Sequence, residues 1–126
     1  MFHYTGPDIH EAFTRLEDPT TPAALKANLI LLAALISPVA EELFFRGLIQ
    51  NLLLRVFRRA WPAIILTGLL FALIHIPLYP HMPALWMLGI ILGWSYYRYR
   101  TLVAPVLIHL WFNAASLILW WTGGVE

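Results

Sequence analysis

Six polar side chains stand inside stretches that are otherwise almost wholly apolar. They are Glu41, Glu42 and Arg46 in LISPVAEELFFRGLIQ, His75 in LLFALIHIP, and His109 with Asn113 in LIHLWFNAA. Carboxylates, imidazoles and an amide are groups that can activate a water and hold the negative charge its attack creates. Glu42 and Arg46 are spaced i, i+4 with the acid first, so a helix sets them on one face as an ion pair in the favourable order. Glu41, one residue back, points about 100° away and cannot share that pairing equally. One carboxylate is thereby neutralised and structural, and the other is free to take and return a proton. His109 and Asn113 share a face by the same spacing, as do Phe71 and His75.

These residues need elements that bury them. Of 126 residues, 60% are hydrophobic and 12% charged, with a mean hydropathy of +0.72. Soluble domains are about half apolar and about a quarter charged, so the chain departs toward the membrane class in both respects. The expected fold is an all-α polytopic membrane helix bundle of about four transmembrane helices. The expected spans are Ala23 to Leu54, Ala60 to Leu78, Pro83 to Tyr97 and Leu102 to Trp121, judged against the roughly 20 apolar residues that cross a bilayer core. Pro38 is expected to kink the first span, and Pro62 sits in the first turn of the second, where a missing N–H costs little. Gly89 and Gly93 form a G-x-x-x-G that suits a close helix contact. The division is a polar N-terminal juxtamembrane segment over 1–22, a core over 23–122 and a tail over 123–126. The N-terminal segment lacks the basic start and apolar run of a signal peptide. His3, His10 and His81 fall outside the spans and are given no catalytic role.

Arg55, Arg58 and Arg59 lie between the first two spans, and Arg98 and Arg100 between the last two. Four alternating crossings put both loops on one side, so the positive-inside rule sets both termini on the non-cytoplasmic side. A bacterial cell membrane is the expected location and membrane lipid an expected partner. Net charge is +1, which argues against nucleic acid. The absence of cysteine excludes disulfides and thiolate metal sites.

An ionisable residue at the centre of a span costs about 2.5–3.5 kcal/mol on insertion scales, so such residues read as a functional site facing the bundle interior. Counting about 1.5 Å per residue from the arginine-marked side puts Glu41, Glu42 and His75 about 20 Å deep and His109 about 10–15 Å deep. Glu41, His75 and His109 are thus expected around one polar pocket.

The motifs E-E-x-x-x-R (Glu41, Glu42, Arg46), F-x-x-x-H (Phe71, His75) and H-x-x-x-N (His109, Asn113), in this order on separate apolar spans, resemble those of the CPBP intramembrane proteases. That group includes type II CAAX prenyl endopeptidases and bacteriocin-processing or bacteriocin-immunity proteins. The resemblance covers roughly Leu35 to Leu117. It implies an endopeptidase acting on a prenylated protein or a leader peptide, in which Glu41, His75 and His109 hold the attacking water. It also implies that Glu42 pairs with Arg46, and that Asn113 helps His109 bind the oxyanion. Family members usually carry further membrane helices before the first motif, and this chain is expected to be a minimal or a truncated member.

Two versions of the chemistry stay open. Glu41, His75 and His109 could hold zinc with water in the fourth position, or Glu41 could act as the base without any cofactor, which is the favoured version. Alternatives to catalysis are a proton or ion pathway and a non-catalytic immunity or scaffold protein. The bland reading of the same residues is a buried ion-pair cluster with interhelical hydrogen-bonding histidines and asparagine. Phe71 is expected to be a core or lipid-facing aromatic that adds little chemistry.

Overall fold

The computed structural model describes residues 14–75 and 81–122, without the side chain of Trp120. His3 and His10, most of the polar segment and the tail lie outside the described residues. All regular structure in the described part is helical, as expected for an all-α bundle. A helical turn at 14–17 is followed by a polar turn in which Asp18 accepts from the Thr20 backbone N–H at 2.8 Å and hydroxyl at 2.7 Å. The main helices are α1 (Ala23–Phe57), α2 (Ala60–Leu73), α3 (Met82–Tyr99) and α4 (Val103–Trp121).

α1 runs beyond the expected end at Leu54. It stops where Arg58 turns left-handed, at φ 52°, and its N–H closes on the Leu54 carbonyl at 2.9 Å. A positive φ without glycine is uncommon but is a normal way to end a helix. α3 ends in the same fashion at Arg100, φ 56°. α2 stops at Leu73, short of the expected Leu78, and Ile76 to Leu78 lie outside the described residues. By length and apolarity α1 is the one described helix that could cross a membrane, whereas α2 and Val103–Leu119 are apolar but shorter. Only 6% of the most apolar window of α1 is buried. Leu31, Ile36, Leu48 and Leu52 point outward.

Around Pro38 the hydrogen-bond register of α1 changes. Residues Leu32–Ile36 are π-helical, and the Ser37 N–H reaches five residues back to the Leu32 carbonyl. In that register the next carbonyl, Ala33, would pair with residue 38, a proline with no N–H to give. A second π-helical stretch covers Leu43–Gln50. Such stretches rotate the following side chains relative to an ideal helix and occur often at functional sites.

The helices meet through glycine. A Cβ on Gly89 would lie 2.7 Å from the Gly68 Cα, so α2 and α3 cross backbone against backbone. α1 lies parallel to α3 and is pinned to its carbonyls. Arg46 donates to Gly89 O at 2.9 Å, and one turn on Gln50 donates to Gly93 O at 2.8 Å. Asn51 continues the row to the Tyr96 hydroxyl at 2.8 Å. Phe45, Phe71, Leu88 and Leu92 form the core, with Ile108 of α4 against it. The polar side chains of the motifs lie at the edge of that core, against Phe71.

Candidate active site

The expected ion pair is present. Arg46 Nη1 donates to Glu42 Oε1 at 2.9 Å, with both side chains fully buried. The helix alone supplies this contact, but Glu42 has a second partner: His109 Nδ1 from α4 lies 2.8 Å from the same oxygen. The Arg46 guanidinium carbon is 5.0 Å from the centre of the Phe71 ring, within cation–π range. Charge, hydrogen bonding and an aromatic face together offset much of the cost of burying these ions.

Glu41 faces elsewhere, as its 100° offset requires. Its Oε1 accepts from the Ser37 hydroxyl at 2.6 Å. Its Oε2 is buried without a hydrogen-bond partner in the protein and lies 3.9 Å from His75 Nε2 and 3.7 Å from His109 Nε2. α1, α4 and the turn after α2 thus bring Glu41, His75 and His109 together. Both gaps exceed a direct hydrogen bond, and a polar gap of that width is one that a water can bridge.

The orientation of each ring is fixed from behind. His75 Nδ1 lies 2.8 Å from the Phe71 carbonyl, four residues back. A carbonyl and a carboxylate only accept, so Nδ1 is the N–H in both histidines. Nε2 of each is then the atom that faces Glu41, an acceptor in the neutral ring and a donor in the cation.

Asn113 stands apart from this group. It lies one turn beyond His109, and its Nδ2 donates to the Ala33 carbonyl at 3.1 Å, the acceptor that falls to Pro38 in the π register. Phe71 is fully buried in the core, one of the two places expected for it, and it lies against both imidazoles. Its ring centre is 4.8 Å from that of His75 and 5.4 Å from that of His109, and its carbonyl anchors His75. Gln50, Ser37 and Ala33 hold the site without having been singled out from sequence. Gln50 extends the Glu42, Arg46 spacing by one more turn, which was a readable signal. His81 is exposed at the start of α3, away from this group.

Zinc would draw its donors closer. With bonds of about 2.0–2.2 Å in a tetrahedral shell, donor atoms lie about 3.5 Å apart, less than the gaps from Glu41 to either histidine. No group of three or more His, Cys, Asp or Glu among the described residues has the arrangement to hold a metal ion.

The family comparison agrees with the motifs. No curated protein and no solved structure matches the chain. A family model described as Type II CAAX prenyl endopeptidase Rce1-like matches residues 23–115, which include all seven motif residues. The chain belongs to this Rce1-like family, a family of integral membrane proteases.

Proposed function

We propose that the chain is a multi-pass intramembrane endopeptidase that cleaves a prenylated C-terminal peptide or a leader peptide with a water activated by Glu41. The observation that carries this is the convergence of Glu41 Oε2 with the Nε2 atoms of His75 and His109. A water bound among them gives a proton to Glu41 and attacks the scissile carbonyl carbon. The carbonyl oxygen becomes an oxyanion, and Glu41 passes the proton to the departing amine, so the carboxylate ends as it began.

His109 is suited to the oxyanion. Its Nδ1–H is held by the Glu42 carboxylate, so Nε2 faces the site and donates there whenever the ring carries its second proton. Asn113 has a second Nδ2–H besides the one given to Ala33, and it is the other proposed donor. Loss of one such donor costs about 10²–10³ in rate in soluble proteases. Glu42 and Arg46 support the site without touching substrate. In this reading Glu41 works without a metal. Four crossings, both termini on the non-cytoplasmic face of a bacterial cell membrane, and contact with lipid complete the proposal. The arginines at the ends of α1 and α3 and the exposed apolar face of α1 support it.

The test is cleavage of a panel of farnesylated and geranylgeranylated peptides and leader peptides by the purified chain in liposomes, with and without chelator. Cleavage that persists after metal removal supports the reading. Cleavage that vanishes with chelator and returns with zinc overturns the metal-free mechanism, and no cleavage of any peptide overturns the activity.

A further inference from the structure

The two oxygens of a carboxylate are chemically equivalent until something distinguishes them. For Glu41 that something is Ser37. A helical serine usually bonds back to the carbonyl four residues earlier. Ser37 instead reaches forward, and its hydroxyl meets Glu41 Oε1 at 2.6 Å, in the range of a charge-assisted O–H···O bond. Ser37 is half-buried, directly after the π-helical turn and directly before buried Pro38. With Oε1 engaged, Oε2 is the oxygen left facing both histidines.

We propose that Ser37 is a positioning residue for hydrolysis: it locks the Glu41 carboxylate so that a single oxygen, Oε2, receives the proton of the attacking water. This rests on the assignment of Glu41 as the base. Ser37 itself touches neither water nor substrate. Its hydrogen bond opposes rotation of the carboxylate and leaves the free oxygen in line with His75 and His109. A purely structural serine would contribute to folding and leave turnover per folded molecule unchanged.

The experiment compares wild type, Ser37→Ala, Ser37→Thr and Glu41→Gln in liposomes on a cleaved peptide, with kcat and KM expressed per folded molecule and thermal unfolding measured for each. Ser37→Ala lowers kcat by about 10- to 100-fold, the range of one charge-assisted hydrogen bond, with KM near wild type. Ser37→Thr, which keeps the hydroxyl, recovers most of it. The proposal is overturned if Ser37→Ala keeps wild-type kcat while Glu41→Gln is inactive, or if its lost activity only follows lost folding. An active Glu41→Gln is a separate failure, that of the base assignment itself.

Discussion

Glu42 and His109 are 67 residues apart in the chain, and the His109 Nδ1 lies 2.8 Å from Glu42 Oε1. The same oxygen takes the Arg46 guanidinium at 2.9 Å. The carboxylate that looks purely structural from its helix spacing therefore also sets the ring of a site histidine. Support and chemistry share one oxygen atom.

Replacing Glu42 should consequently harm both. Glu42→Gln leaves a buried guanidinium without its counter-charge, and breaking one side of a buried pair costs about 3–5 kcal/mol. It also removes the anion behind His109. The expected outcome is a large drop in the unfolding midpoint in detergent, with lower kcat in the molecules that remain folded. A Glu42→Gln protein as stable as wild type would show that the pair is not buried as described.

Asn113 and Pro38 should be energetically coupled. The Asn113 amide serves the Ala33 carbonyl, and in the π register residue 38 has no N–H to offer it. Asn113→Ala should cost about 1 kcal/mol of stability, the usual net value of one hydrogen bond. In a Pro38→Ala background, where a backbone N–H is restored, that stability cost should shrink. A double-mutant cycle of unfolding free energies reads the coupling, and strict additivity would contradict it.

The two-glycine crossing makes a sharper contrast. Gly89→Ala drives a methyl to within 2.7 Å of the Gly68 Cα, backbone that cannot step aside, whereas at Gly47 the nearest atom to an added Cβ is 3.9 Å away. Gly89→Ala should separate α2 from α3, pull the Gly89 carbonyl from Arg46 and abolish activity. Gly47→Ala should be neutral or stabilise by up to about 1 kcal/mol, since alanine suits a helix interior better. Thermal melts should fall for Gly89→Ala and hold or rise for Gly47→Ala, and only Gly89→Ala should lose cleavage.

Local spacing made the Glu42–Arg46 pair legible, because one helix dictates that contact without knowledge of any other. Burial cost made the site legible as a group: ionisable residues in apolar spans have few other reasons to be there. What sequence could not give were contacts between helices. His109 on Glu42, Asn113 on Ala33, and Arg46 and Gln50 on the carbonyls of Gly89 and Gly93 all depend on how α1, α3 and α4 are rotated against each other. The π-helical stretches change that rotation, and the apolar pattern carries no mark of them. Phe71 looked bland because its type is apolar, while its role comes from its place beneath both imidazoles and from its carbonyl. The four main helices among the described residues, and most of their boundaries, followed from apolar length. The ends of α1 and α2 did not; at α1 a left-handed arginine replaces the glycine that usually marks such a stop.

The most direct measurement is cleavage by Glu41→Gln beside wild type, in liposomes, on the peptide that wild type cuts best. Glutamine keeps the shape and can still pair with Ser37, but it cannot take a proton from water. The account predicts a protein that inserts and melts like wild type with cleavage lowered by at least about 10³-fold, more than the roughly 10²–10⁴ range of general-base catalysis at its lower end. Wild-type cleavage by Glu41→Gln would contradict it.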